Sequence, residues 1–193
     1  MISFIIPAHN SEKFLKRCVE SVVKEEKQPK DNNLAEVIII ENGSSDHTKQ
    51  IGTALAEKYE NVFLICSEKG VSNARNAGVK AAHGEWIFFL DADDYLPAGT
   101  LQKLLDTVNS GKAADLYIFS YEKGNAIVNV ATGENADGYE GTGVRESLAG
   151  MLRNPTRCMA VWGKLFRHSI IQQSSLDFNK KLSLAEDSDF LIR

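Results

Sequence analysis

The segment Trp86-Ile87-Phe88-Phe89-Leu90-Asp91-Ala92-Asp93-Asp94 sets the strongest limit on how this chain can fold. Apolar residues run without interruption into three carboxylates. An apolar run of that length, opened by Gly84, reads as a strand covered on both faces, as in a parallel sheet. Carboxylates inside such a strand would carry a large desolvation cost. They therefore belong at its carboxyl end, where an open α/β sheet has its ligand crevice. Acid oxygens clustered there suit a hard divalent cation that also holds phosphate oxygens. A capped, Asp-rich turn after a core strand fits the same letters.

The chain before this segment repeats the same unit. Residues 2–6 read as a buried strand. Ser11 can cap a helix over residues 12–24, with Phe14, Leu15, Cys18, Val19, Val22 and Val23 on one stripe. A polar loop with Pro29 covers residues 27–33. Residues 37–40 form a second strand, and residues 41–46 a turn and cap. Ile51, Leu55 and Tyr59 mark a second helix, and residues 62–66 a third strand. Ala74, Ala77, Gly78, Ala81 and Ala82 mark a third helix. Gly78 permits close helix–sheet packing, and Gly84 serves as the helix stop. Strands joined by helices make right-handed crossovers. The fold class is therefore α/β: a Rossmann-like, mostly parallel sheet with helices on both faces. The strand ends near Pro7, Glu41 and Asp91 should face one crevice.

After Asp94 the pattern changes. A helix is expected over residues 100–108 and a strand over residues 116–121. Residues 122–143 are rich in Gly, Asn and Asp, with residues 127–130 as an edge strand in a hairpin. Val144, Leu148, Met151 and Leu152 mark another helix, and residues 161–166 carry Trp162 and Lys164 in an apolar setting. The chain divides into halves of one domain, residues 1–98 and 99–193, the second a smaller acceptor-side region. Its last residues open a helix that no Gly or Pro closes, as expected of a fragment truncated at its C-terminus.

Composition narrows the function classes. The net charge of −4 argues against a nucleic-acid binder, which shows a basic face. No apolar run is long enough to span a membrane. The apolar start is short, lacks a basic region and is stopped by Pro7, His9 and Asn10, so it is no signal peptide. Cys18, Cys66 and Cys158 are far apart and form no C-x-x-C pair. They read as reduced, mostly buried thiols of a cytoplasmic protein without a zinc site. His47, His83 and His168 read as surface residues.

Four segments, taken in order and spacing, resemble the family 2 glycosyltransferases, which have the nucleotide-sugar-binding GT-A fold. Ser3-Phe4-Ile5-Ile6-Pro7-Ala8-His9-Asn10 is similar to the family's opening strand and its Pro-x-Tyr-Asn end. Residues 37–48 are similar to its strand followed by Asp-Asp-Gly-Ser-x-Asp-x-Thr. Gly70-Val71-Ser72-Asn73-Ala74-Arg75-Asn76-Ala77-Gly78 matches its Gly-x-Ser-x-Ala-Arg-Asn-x-Gly segment, and Phe89-Leu90-Asp91-Ala92-Asp93-Asp94 its acidic motif. Later, Trp162-Gly163-Lys164-Leu165-Phe166-Arg167 and Glu186-Asp187 also fit. Two departures stand out: His9 replaces the usual tyrosine, and Glu41-Asn42 the usual pair of aspartates.

The resemblance implies an inverting transferase that moves a sugar from a nucleotide-diphospho-sugar, a UDP-sugar, to a saccharide or lipid-linked acceptor. It implies a divalent cation, Mn²⁺ or Mg²⁺, held by Asp93. It implies nucleotide binding by Pro7, Ala8, His9, Asn10, Glu41, Arg75, Asp91 and Ala92. His9 would stack on uracil and Glu41 accept its imide N–H. Asp91 would reach ribose hydroxyls or a metal-bound water, and Arg75 the base or pyrophosphate; a surface ion pair with a nearby acid is the other reading of Arg75. Asp187 is the implied general base; acids at a helix N-terminus favoured by the macrodipole explain the same residues. Lys164 and Arg167 could contact the diphosphate or acceptor, but fit solvated cations beside a core strand better; Trp162 could stack on a sugar, but fits core packing better. A bacterial surface-polysaccharide role, in the cytoplasm or at the inner face of the membrane, follows from the same resemblance. Two other classes stay open: a sugar nucleotidyltransferase, disfavoured by the absence of a Gly-rich phosphate loop after the first strand, and a nucleotide-binding module without transfer activity.

Overall fold

The computed structural model of the chain describes residues 1–24, 34–110, 114–123, 126–128 and 159–193. The expected loop at residues 27–33, the helix marked by Val144 to Leu152, Cys158 and most of residues 122–143 lie outside the described residues.

Apolar runs become strands. β1 (Ile2–Ala8), β2 (Ala35–Glu41), β3 (Val62–Cys66) and β4 (Trp86–Phe89) lie parallel. They are buried on both faces in β1, β2 and β4 and partly exposed in the edge strand β3. β5 (Leu116–Ile118) and β8 (Lys164–Arg167) complete a six-stranded sheet in the order β3-β2-β1-β4-β8-β5. β8 runs antiparallel to both its neighbours. β6 (Tyr121–Lys123) and β7 (Ala126–Val128) form a separate hairpin. The expected single strand over residues 116–121 is thus two: pairing with β8 ends at Ile118, and the chain then leaves for the hairpin.

The period-2 alternation of each strand divides the core between two faces. Ile2, Phe4, Ile6, Val37, Ile39, Trp86 and Phe88 pack with α1 (Leu15–Val23), α2 (Thr48–Lys58) and α4 (Thr100–Asn109). Ile5, Ile38, Ile40, Ile87 and Phe89 pack with α3 (Val71–Ala81), α5 (His168–Gln173) and α6 (Glu186–Ile192). Helices on both faces of a mostly parallel sheet are as expected.

Local signals were less faithful. Ser11 does not cap α1 through its side chain. Its carbonyl accepts the N–H groups of Phe14 and Leu15, and its hydroxyl donates to the His9 carbonyl. Phe14 consequently lies before the helix and is exposed. Gly84 is not a helix stop either, since α3 closes at Ala82. A Cβ on Gly84 would stand 2.5 Å from Ser3 Oγ and 2.8 Å from Ser3 N, so the requirement is close approach to β1. Cys66 is exposed rather than buried. His168 is buried, its ring bonded to the Gly84 carbonyl at 3.0 Å. Lys164 is buried rather than solvated, its Nζ donating to the Ala160 carbonyl at 2.6 Å. Neither burial shows in a local pattern, because the covering groups come from elsewhere in the chain.

Gly78 does permit close packing: a Cβ there would collide with the side chain of Ile5 on β1. Ile5 is β-branched and fully buried, so it has little room to move. Alanine at Gly78 gains about 1 kcal/mol of helix propensity. Overpacking costs typically about 1–3 kcal/mol. We expect Gly78→Ala to be destabilising on balance, a loss that chemical denaturation will measure.

Candidate active site at the carboxyl edge of the sheet

Three loops meet where β1, β2 and β4 end. Their strands stand side by side, with Ala8 beside Glu41 and Ile5 beside Phe89. β1 carries Pro7 past its last pair with β4, where a missing N–H loses no rung. The loops enclose a cleft of about 330 Å³ lined by Pro7, Ala8, His9, Asn10, Ser11, Phe14, Asn42, Val71, Asp91, Ala92 and Asp93. Expected site residues 7–10 and 91–93 therefore share one crevice. Ser11, Phe14, Asn42 and Val71 join them without having been expected as ligand residues; Ser11 directly continues the residue 7–10 run, and Asn42 follows Glu41.

The first loop is fixed by polar contacts to the second. Asn10 takes a left-handed conformation, φ 50°, which asparagine tolerates. Its Oδ1 accepts the Ser45 N–H at 2.9 Å, and its own N–H donates to Ser44 Oγ at 3.1 Å. His9 is exposed, and its Nδ1 lies 2.9 Å from the Asn42 carbonyl. A carbonyl only accepts, so the proton sits on Nδ1. Asn42 ties the β2 loop to the β3–α3 loop: its Nδ2 donates to the Glu68 carbonyl at 2.6 Å and its Oδ1 accepts the Gly70 N–H at 2.9 Å.

Three expected site residues, Glu41, Arg75 and Asp187, lie outside the cleft lining. Glu41 is buried, and its Oε1 accepts the Ser44 N–H at 2.5 Å. That bond spends the carboxylate on its own turn, and the hydrogen bonds from the loop hold its pKa below the usual range despite burial. Arg75, on α3, lies beneath the acidic loop, its side chain 5% exposed. Its Nη1 donates to Asp187 Oδ1 at 2.5 Å and Glu186 Oε1 at 3.2 Å, and its Nη2 to Asp91 Oδ1 at 3.4 Å. The guanidinium also stands 5.3 Å from the centre of the Phe178 ring.

α6 brings Asp187 here because Phe190, one helical turn on, is buried against Phe178, Phe166 and Phe89. Asp187 Oδ2 accepts the Val161 N–H at 3.1 Å. Burial pushes the Asp187 carboxyl above its ordinary value; Arg75 and the Val161 N–H oppose it, and Glu186 and Asp91 add to it. Asp91 is raised likewise, by burial first, with Arg75 opposing and Asp93 adding. Asp94 is raised by burial, then by Asp91 and Asp93. Arg75 thus joins Asp91, at the cleft, to Asp187.

The late cations act elsewhere. Arg167 bonds Glu85 at 2.7 Å and the Ala114 carbonyl at 2.9 Å, and stacks 4.5 Å from the Trp86 ring centre. Trp162 makes a bridge with Phe89 in the sheet.

Fold and cleft together define a GT-A-like α/β domain with its ligand crevice at the carboxyl edge of the sheet. The family model for glycosyl transferase family 2 matches residues 3–174, and the chain belongs to that family. A glycosyltransferase named EpsH in Bacillus subtilis, described as putative, is 29% identical over all of this chain and 55% of its own length. The poly(ribitol-phosphate) beta-glucosyltransferase of Bacillus spizizenii is 30% identical over 98% of the chain and 28% of its own length. The crystal structure of S. aureus TarS in complex with UDP superposes with a TM-score of 0.78 at 24% identity, covering 98% of this chain and 53% of that one. The chain spans about half the length, or less, of these relatives.

Proposed function

We propose that this chain carries the donor-binding and catalytic part of an inverting glycosyltransferase. It would move a sugar from a UDP-sugar to an acceptor hydroxyl with the help of a divalent cation. The observation that carries this reading is the cleft itself, which gathers Pro7, Ala8, His9 and Asn10 with Asp91, Ala92 and Asp93. TarS in complex with UDP has the same fold, and a mannosyltransferase solved with GDP-Man and Mn²⁺ superposes with a TM-score of 0.64.

The donor set fits such a cation. Among the described residues no group of three or more His, Cys, Asp and Glu side chains could hold a metal. A site of one or two carboxylates completed by substrate phosphates and water is how Mg²⁺-type ions are usually bound beside nucleotides. Asp93, exposed at the cleft, would hold the ion, with Asp91 beside it. When bound, the ion supplies charge neutralisation to the diphosphate leaving group. The exposed imidazole of His9 and the ring of Phe14 offer faces to the base. Residues 1–98 supply the donor half; Asp187, from residues 99–193, accepts the proton of the acceptor hydroxyl. Glu41, held in its own turn, supports the loop rather than reading the base. Arg75 acts through Asp91 and Asp187.

A saccharide or lipid-linked acceptor and a surface-polysaccharide role are consistent with the poly(ribitol-phosphate) relative. No helix among the described residues is long and apolar enough to cross a membrane. The proposed place of action is the cytoplasm or the inner face of the membrane.

Titration calorimetry with UDP, GDP and TDP, with and without Mn²⁺, tests the reading. UDP should bind at least roughly tenfold tighter with Mn²⁺, about 1.4 kcal/mol. Asp93→Ala should erase that increment and leave the melting temperature nearly unchanged, because exposed substitutions rarely exceed about 0.5 kcal/mol. Binding that ignores the ion would remove Asp93 from the role given to it.

A further inference from the structure

The acidic turn is fastened from outside by one helix. Within just over one turn of α1, three side chains reach it. Arg17 Nη2 donates to the Asp93 carbonyl at 2.8 Å. Cys18 Sγ donates to the Asp91 carbonyl at 3.5 Å. Ser21 Oγ accepts the Leu96 N–H at 3.0 Å. The turn also closes on itself, the Asp94 N–H donating to the Asp91 carbonyl at 3.0 Å.

These anchors differ in kind. Cys18 is buried in the core under α1 and is part of the packing. Arg17 is exposed. Its guanidinium lies 4.7 Å from the centre of the Tyr95 ring, and Tyr95 is itself 53% exposed. The ring restrains a long, rotamer-rich side chain. The Asp93 carboxylate accepts no hydrogen bond among the described residues. With no partner to hold its rotamer, what the protein fixes is the place of the Asp93 backbone, and Arg17 is the side chain that bonds the carbonyl of that residue.

We propose that Arg17 is a positioning residue of this site: stacked on Tyr95, it pins the Asp93 carbonyl and thereby holds that residue where its carboxylate reaches a cation–diphosphate ligand. The inference rests on the reading of the cleft given above. A guanidinium suits the task because one edge can bond a carbonyl while its plane lies on an aromatic ring. An ammonium has no such plane. A change at Arg17 should act on cation-dependent binding and leave binding of the nucleotide alone untouched.

The test uses the whole chain, with Mn²⁺ and UDP as probes. Wild type, Arg17→Ala, Arg17→Lys and Tyr95→Ala are compared by calorimetry and by the electron paramagnetic resonance signal of bound Mn²⁺. Arg17→Ala should weaken Mn²⁺-dependent UDP binding about five- to tenfold and broaden the Mn²⁺ signal. UDP binding without the ion, and the melting temperature, should stay as in wild type. Arg17→Lys should recover part of the loss. The double variant Arg17→Ala/Tyr95→Ala should lose little more than Arg17→Ala, because the two side chains act as one unit. Equal Mn²⁺–UDP affinity in wild type and Arg17→Ala overturns the proposal, as does a loss matched by a fall in melting temperature. If wild type itself shows no ion-dependent binding, the reading of the cleft fails and this proposal with it. That outcome is distinguishable because it is seen before any variant is made.

Discussion

Replacing Arg75 with alanine is expected to remove roughly 3–5 kcal/mol of folding stability, a fall of about 6–20 °C in melting temperature for a chain of this size. The side chain is 5% exposed, and it faces Asp187, Glu186 and Asp91, of which Asp91 keeps the most contact with solvent. Removing one partner of a buried ion pair leaves the other charge without compensation. Here one cation serves three acids. Burial raises the Asp91 and Asp187 carboxyls, and Arg75 is the foremost influence holding them down. Without it both rise further. An acid whose folded pKa exceeds its unfolded value binds more protons when folded, so stability falls as pH rises between the two values. The interval begins near the ordinary aspartate value of 3.8. The deficit of Arg75→Ala should therefore be smallest in acid and widen toward neutrality. Denaturant unfolding from about pH 4 to about pH 8 will measure it. An equal deficit at both ends would place the loss in packing against Phe178 rather than in charge. Arg75→Lys should fall between, since an ammonium lacks the fork that reaches three carboxylates.

The sequence made the sheet legible for a physical reason. Strands covered on both faces leave long apolar runs, and the acids that end such a run mark the crevice edge. β1 to β4, the helices between them, and the gathering of residues 7–10 with residues 91–93 could be read that way. What could not be read depends on distant covering groups. Arg75 and Asp187 are 112 positions apart; an ion pair with an acid could be read for Arg75, but not which acids, nor that the pair would be buried. Lys164 and His168 look like surface residues letter by letter, and both are buried. Ser11 carries a capping side chain, yet its carbonyl does the work. Glu41 could face a base or its own turn; only the Ser44 N–H at 2.5 Å decides. The signals that misled were local, whereas tertiary packing chose among the local options.

Asp187→Asn is expected to slow sugar transfer by roughly 10²–10⁴-fold, the usual weight of a general base, while donor binding and folding persist. Asparagine has nearly the same shape and keeps an oxygen for the Arg75 guanidinium or the Val161 N–H. It cannot take up a proton. In wild type each Asp187 oxygen already accepts a hydrogen bond, but a carboxylate oxygen has two lone pairs, so room remains for an acceptor hydroxyl. The variant also removes one of the three acids around Arg75, and that relief offsets the loss of one good hydrogen bond. Two readouts separate the roles: single-turnover transfer reports the base, and calorimetric titration with UDP and Mn²⁺ reports the donor site. The wild-type rate should rise with pH through a midpoint above the ordinary aspartate value, because burial keeps Asp187 protonated longer than a free carboxyl. In Asp187→Asn that limb should vanish. Glu186→Gln is the control, since Glu186 shares the same guanidinium at 3.2 Å. A larger loss from Glu186→Gln than from Asp187→Asn would move the base one residue along α6. Wild-type turnover in Asp187→Asn would leave that helix as a packing element, its acids held by Arg75 for stability alone.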